Sequence, residues 1–364
     1  MFKFLKPKLP PDFFKSIKGQ LVVLVFMIIV ISIMTYLVHL SSPIDTRLNE
    51  SKEFIVKQGD GMKEISDRLE EQHLIRSSFV FKLLVLEGWV FGKLKAGTYE
   101  FSQSMSVQEM IDKLVRGDVV KEKITIIEGW DLRDIGFYFE NKGISQTKEL
   151  FRLTGFPAVD HRRSLELSYS IDNIFDSKYV FLEDKPDYYN LEGYLFPDTY
   201  EINKGESLNS IIPKILDNFN QKVFTGLKDK IDAQDKSVFV LITMASMLEK
   251  EVQSYEDKKI VSGILWKRLA NKMPLQVDAT VNYITGRKDS GPTAEERQID
   301  SSYNTYKYRG LPLGPISNPG LDSIKAAIYP RQSDFWYYIS TPEGETVFSR
   351  TLQEHNEAIN KYLR

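Results

Sequence analysis

The 364-residue chain carries a formal net charge of −2, from 48 Lys and Arg against 50 Asp and Glu, and contains no cysteine. No long basic block lies outside residues 1–20, so the electrostatic footprint of a nucleic-acid binder is missing. Disulfides, thiolate catalysis and sulfur-ligated zinc are excluded, and the length allows an anchor plus two or three domains, each with its own core.

Residues 1–20 form a basic tail, with Lys3, Lys6, Lys8, Lys15 and Lys18 against the single acid Asp12. Residues 21–40, Leu21 to Leu40, are almost wholly apolar and carry no Asp, Glu, Lys or Arg. At helical rise the run spans roughly 30 Å, one bilayer crossing. A cleaved signal peptide has an apolar region of about 7–15 residues and ends at small residues. Here the run ends in His39, Leu40 and Ser41, which favours a retained anchor. Ser41 to Ser51 offers only Arg47 among basic residues, so the positive-inside rule keeps the tail cytoplasmic and everything beyond the anchor outside. Residues 41–52 mix Ser, Pro, Asp and Asn without period and read as a stalk reaching at most about 40 Å.

From Glu53 a strand with Phe54, Ile55 and Val56 meets Gly59 and Gly61, then an amphipathic helix carrying Met62, Ile65 and Leu69 on one face. The pattern recurs further on. Ile124, Ile126 and Gly129 fall where Phe54, Val56 and Gly59 were, and Leu132, Ile135 and Phe139 where Met62, Ile65 and Leu69 were, an internal duplication. Between them Lys95 to Phe101 reads as a strand, and Ser106 with Glu109 forms a capping box for a helix ending near Gly117. This divides the region into a module over 53–120 and a second module with an insertion over 121–190, where Ser145 to Asp187 shows only weak periodicity. Over 191–364 helix signals at Ser207 to Phe219, Lys236 to Val252, Tyr255 to Asn271 and Leu321 to Ala327 precede a hairpin. The hairpin pairs Phe335 to Ser340 with Thr346 to Ser349, and Thr351 with Glu354 caps a last helix. The fold class is α+β: one transmembrane helix, then α+β modules, then an α+β domain.

Gly59-Asp60-Gly61 resembles the start of a dinucleotide loop, but Glu64 stands at the third glycine position, so the segment reads as a turn. Ser145-Gln146-Thr147-Lys148 matches an acylation motif without its partner motifs, which leaves Ser145 as a helix cap. His39, His73, His161 and His355 are far apart, so neither a metal nor another cofactor is expected. The informative stretch is Val238 to Glu251, apolar nearly all round until Glu249, the mark of a buried helix. Glu249 shares its face with Ala245, Ile242 and Val238, while Glu251 points elsewhere. A carboxylate withdrawn from water is raised in pKa, as a general acid near neutral pH needs. A helix end surfacing into solvent fits the same pattern. Gln276 and Asp278, Ser302 to Tyr306, Gly310 to Pro312 and Asn318 to Gly320 lie in polar or turn contexts that either contact ligand or merely turn the chain. Leu191 to Tyr200 sets aromatics beside acids, suited to stacking on sugar rings, although a core strand with a turn would look alike.

Four ordered blocks, Leu191 to Ile202, Ala245 to Glu251, Leu275 to Tyr283 and Ser302 to Ala327, resemble the endolytic murein transglycosylase family. The duplicated N-terminal pattern looks like that family's LysM-like region. The resemblance implies that Glu249 is the catalytic glutamate and that Glu192, Gln276, Asp278 and Asn304 belong to the substrate cleft. The chain departs from the family at Val277 and Ala279, where the family reads Leu-Gln-Thr-Asp-Pro-Thr. It further implies a lyase in the bacterial inner membrane. That enzyme cuts the bond between N-acetylmuramic acid and N-acetylglucosamine in nascent strands, leaves 1,6-anhydro ends, and works beside glycan-polymerising synthases. A non-catalytic wall-binding scaffold and a muramidase that uses water are the alternatives.

Overall fold

A computed structural model describes residues 16–160, 162, 174–288 and 291–363. The tail lysines before residue 16, and His161, lie outside the described residues. Helix α1, Ile17–Ser41, is long and apolar enough to cross a membrane, with a mean hydropathy of 3.0 over its central window and no burial of that window. The chain divides into two compact units, Met1–Glu122 with Asn203–Gly205, and Lys123–Ile202 with Glu206–Arg364.

In the first unit β1 (Ser51–Val56) is followed by α2 (Met62–Glu71), α3 (Ser78–Glu87), β2 (Gly97–Ser102) and α4 (Val107–Arg116). β1 and β2 pair antiparallel, with Ser51 opposite Ser102 and Val56 opposite Gly97. Strand alternation sends Phe54 and Val56 inward and leaves Ile55 exposed. They close a core with Ile65, Leu69, Phe81, Val85, Tyr99, Phe101, Met110 and Leu114. The Ser106 hydroxyl accepts from the Glu109 N–H while the Glu109 carboxylate accepts from the Ser106 N–H, and Gly117 ends α4 at φ +74°. Residues 41–52 do not stand off as an extended stalk. The Arg76 guanidinium donates to the carbonyls of Ser42, Pro43 and Ile44, and the Asp45 N–H donates to the Gln103 carbonyl.

The second unit contains β3 (Lys121–Thr125, from Lys123 on), α5 (Leu132–Asn141), α6 (Thr147–Thr154), β4 (Thr199–Asn203, up to Ile202), α7 (Leu208–Phe219), α8 (Lys228–Asp232) and α9 (Val238–Glu251). It continues through α10 (Tyr255–Ala270), α11 (Asp278–Thr285), α12 (Leu321–Ile328), the hairpin β5 (Tyr337–Ser340) and β6 (Thr346–Ser349), and α13 (Leu352–Tyr362). β3 pairs with β4, and β5 with β6. Gln146, not Ser145, occupies the cap position of α6, because the Gln146 N–H meets the Glu149 carboxylate at 3.4 Å. Ser145 stands one residue outside that turn.

Ile124, Ile126, Leu132, Ile135 and Phe139 pack in one core with Leu191, Tyr194, Phe219, Leu241, Met244, Leu248, Val261 and Leu265. The segment from Lys123 to Asn190 therefore shares a core with α9 and α10 rather than closing one of its own. α9 runs through this core, buried without interruption from Leu241 to Leu248. Leu191, Tyr194, Leu195, Phe196 and Tyr200 are buried as well, so these aromatics fill the interior instead of presenting faces to a sugar.

Candidate active site

Glu249 lies in the last turn of α9. Its Oε1 is 3.1 Å from Lys258 Nζ, and its Oε2 accepts from the Gly320 N–H at 2.9 Å and the Ser323 hydroxyl at 2.6 Å. Ser254 caps α10 by accepting from Asp257, and this start places Lys258 in the first turn. Gly320 and Ser323 begin α12, where unsatisfied helix N–H groups favour an anion. The loop before α12 is pinned one turn back on α9, since the Ile316 N–H donates to Ser246 Oγ and the Ser317 hydroxyl to the Ser246 carbonyl. The Lys258 and Glu249 side chains are only 6 % and 9 % exposed. The carboxylate is therefore enclosed, but by hydrogen-bond donors rather than by the apolar surface that the helix periodicity suggests.

A second carboxyl arrives from the duplicated turn between β3 and α5. Gly129, at φ +79°, lets the chain reverse there. The Gly129 N–H donates to the Asn318 carbonyl at 2.9 Å, and the Asn318 N–H donates to the Trp130 carbonyl at 2.8 Å. This bridge lays Glu128 against Gly320, where a Cβ would come 2.1 Å from the Glu128 carboxylate. Glu128 and Glu249 thus flank one glycine. Loss of hydration raises the pKa of Glu128 and the Glu249 charge adds to it, with Lys258 opposing.

Glu251 turns toward α11 and β5, away from the donors that hold Glu249. Burial pushes its pKa up to about 7 and the Asp278 charge adds to this, while the Tyr338 hydroxyl, the Ala279 N–H and Arg268 pull it down. The Tyr338 hydroxyl donates at 2.8 Å. A cavity of 400 Å³ is lined by Glu128, Gly129, Glu249, Lys250, Glu251 and Thr341 among others. A second, of 270 Å³, takes in Asp131, Arg133, Asp278 and Tyr283 and shares Gly129, Lys250 and Glu251 with the first. Small-ligand sites are of about this size.

The other residues singled out in the sequence divide by burial. Asp278 is the first residue of α11, lines the second cavity, accepts from the Tyr306 hydroxyl and lies 3.6 Å from Arg297. Gln276 is exposed at φ +53°, with its N–H on the Thr305 carbonyl at 3.2 Å. Glu192 and Asn304 are 0 % exposed. Glu192 accepts from the Leu132 N–H, the Tyr283 hydroxyl and the Asn318 amide, and burial raises its pKa well above the usual range. Asn304 donates to the carbonyls of Arg297 and Ile299 and accepts from the N–H groups of Tyr306 and Lys307. Both spend their polar atoms inside the walls of the cleft. Asn318 is an organiser that its place in a turn-like run does not advertise. Its side-chain oxygen accepts from the Gly193 and Leu195 N–H groups, and its amide donates to the Trp130 carbonyl and Glu192. Nor does sequence pattern single out Glu128, although the Gly129 match marks the turn beside it. Among the described residues no group of three or more metal-ligating side chains is arranged to hold an ion.

A mixed helix-and-strand unit whose cleft gathers three carboxyl groups at the end of a buried helix has the make-up of an acid–base catalyst. Residues 54–361 match the YceG-like family, and the chain belongs to it. It is 31 % identical over 326 residues to the endolytic murein transglycosylase of Bacillus subtilis (strain 168), covering 89 % of this chain and 88 % of that one. The protein of the same name from Streptococcus pneumoniae (serotype 2, strain D39) is 27 % identical over 347 residues, and the match covers 88 % of this chain and 60 % of the streptococcal one. Among solved structures, a putative yceG-like protein of Listeria monocytogenes superposes with a TM-score of 0.54 at 31 % identity, covering 85 % of this chain and 99 % of that chain.

Proposed function

We propose that the chain is a membrane-anchored endolytic lytic transglycosylase of peptidoglycan, a lyase, with Glu249 as its proton-transfer group. The observation that carries this reading is the Glu249 carboxylate set in a cleft beside Glu128 and within reach of a switchable hydroxyl, in a chain whose relatives are named endolytic murein transglycosylase. Protonated Glu249 gives its proton to the glycosidic oxygen leaving N-acetylmuramic acid. The resulting carboxylate then takes the proton from the C6 hydroxyl of that same sugar as the oxygen attacks C1, closing a 1,6-anhydro ring without water. One carboxyl thus serves twice. Lys258, the Gly320 N–H and Ser323 receive the carboxylate form between the two transfers. The Ser323 hydroxyl can turn from donor to acceptor when Oε2 carries the proton.

Asp278 and Gln276 contact substrate in this reading, with Glu192 and Asn304 shaping the cleft from behind. The strand–helix–helix–strand order of β1, α2, α3 and β2 supports a LysM-like glycan-holding module over 53–120. α1 anchors the enzyme, with the basic tail cytoplasmic and the cleft outside, where nascent strands leave the synthases.

Glu128 favours a second reading, since an inverting hydrolase uses a second carboxylate to activate water. Incubating the full chain with peptidoglycan and weighing the products separates the two. Anhydro ends are expected, whereas hydrolysis leaves reducing ends about 18 mass units heavier. Wild-type release by Glu249→Gln would overturn the assignment of that residue, and absence of any soluble product would favour a binding scaffold.

A further inference from the structure

Helix α3 buries Phe81 and Val85 in the first core, and Val80 is buried beside them, yet its opposite face is also apolar. Phe79, Leu83 and Leu86, at i, i+4 and i+7, are 66 %, 40 % and 52 % exposed, a single stripe on the outer side. Beyond the helix Trp89 is 80 % exposed and Phe91 61 %. The helix carries only Lys82, paired with Asp67 at 2.8 Å, and the terminal Glu87. Large apolar side chains exposed in such close succession mark an interaction site rather than an ordinary solvated face.

Trp89 is also held in an uncommon backbone conformation. Its φ is +53°, the left-handed conformation that favours glycine. It stands where the helix C-terminus reverses, with the Trp89 N–H on the Leu86 carbonyl at 3.2 Å and the Val90 N–H on the Val85 carbonyl at 3.1 Å. Gly88 sits one residue too early to relieve the strain. A strained, exposed indole points to a use outside its own fold.

The position of this surface says what covers it. Arg76 Nη1 donates to the Ser42 and Pro43 carbonyls at 2.7 Å each, and Nη2 to Ile44 at 2.9 Å. The residues leaving α1 are thereby clamped to the residue immediately before Ser77, the N-cap of α3. The apolar stripe begins where the membrane-crossing helix ends, and exposed Lys93 lies two residues past Phe91. Indole rings and lysines beside an apolar face are the composition that settles at a lipid headgroup boundary.

We propose that the Phe79, Leu83, Leu86, Trp89 and Phe91 surface lies in the headgroup region of the membrane that α1 crosses. The chain then grips the bilayer at two points, and the first unit is held at a fixed height instead of swinging on a tether. This rests on the reading of α1 as an anchor. The test uses the full chain in vesicles whose acyl chains carry bromine, a short-range quencher. Of the four tryptophans, Trp89, Trp130, Trp266 and Trp336, Trp89 alone belongs to the proposed surface, and α1 has none. Emission is expected to drop in brominated relative to plain vesicles, and Trp89→Phe is expected to abolish the drop. Phe79→Ser with Leu86→Ser, two outward changes that spare the core, should weaken the quenching while α1 still carries the protein up in flotation. Protein that floats with the vesicles but shows no bromine quenching overturns this proposal and leaves the anchor standing. Protein that fails to float overturns both. Shielding of Trp89 that tracks the protein-to-lipid ratio without bromine quenching overturns it in favour of a second copy on this face.

Discussion

The strand, glycine turn and helix that follow α1 in the first unit carry the same kinds of side chain, at the same intervals, as those that open the second. Phe54, Val56, Ile65 and Leu69 are as thoroughly buried as Ile124, Ile126, Ile135 and Phe139, and both turns contain a glycine at positive φ. The turns nevertheless meet different surroundings. A Cβ on Gly59 would touch nothing within 4 Å, whereas one on Gly129 would lie 3.5 Å from Glu249 Cγ and 3.7 Å from Lys250 Cδ. Repetition thus built the same local scaffold twice, and only the copy that the Asn318 loop grips acquired a place beside the candidate acid.

The largest effect is expected from Glu249→Gln, which should lower release of anhydro products by about 10² to 10⁴. A change in the open turn, Asp60→Asn, should leave that rate unchanged, because among the described residues the Asp60 carboxylate serves the Lys57 N–H and Arg68. Next comes Asn318→Ala. It removes four hydrogen bonds that join the Gly193, Leu195, Trp130 and Glu192 positions. With each unmet buried group costing about 1–3 kcal/mol, a loss of about 3 kcal/mol or more should show in thermal unfolding. An unchanged melting curve would mean that the grip on the second turn is not what holds it.

Smaller and more discriminating is the pair Gly59→Ala and Gly129→Ala. Each forces alanine into the left-handed region at a cost of about 1–2 kcal/mol, so both should melt earlier by similar amounts. Turnover should fall only for Gly129→Ala, and equal turnover would dissolve the distinction drawn between the turns. The smallest effect is a pH slope. Glu251 is pushed from 4.5 to about 7 in the folded chain, so the folded state holds a proton that the unfolded state has already released. Stability on this account falls as pH rises from about 4.5 to about 7 and is flat above. Denaturant midpoints across that range should lose part of the slope in Glu251→Gln; Glu128 and the buried Glu192, both raised by loss of hydration, keep the remainder.

Much of the scaffold is legible in the sequence because its causes are local. The apolar run of α1, the Ser106 and Glu109 capping box, the Thr351 cap, the duplication and the burial of α9 each depend on residues a few positions apart. α3 escapes because it is apolar on both faces and leaves no amphipathic period to detect. The short α11 hides because its eight residues come after a run of turn-like positions. Glu192 and Asn304 match the family's polar pattern, and polarity does not distinguish a side chain facing a ligand from one satisfied inside a wall.

A run long and apolar enough to cross a membrane, a strand-turn-helix pattern that occurs twice and an acid at the end of a buried helix all follow from the order of the residues, since periodicity and capping act within a turn or two of backbone. Long-range packing sets Glu128 across Gly320 from Glu249, gives the carboxylate to Lys258 and Ser323, and ties the duplicated turn into the cleft through Asn318. Those contacts join residues far apart along the chain. They exist because closing one shared core brings the helix ends together, and no local pattern encodes which ends those will be.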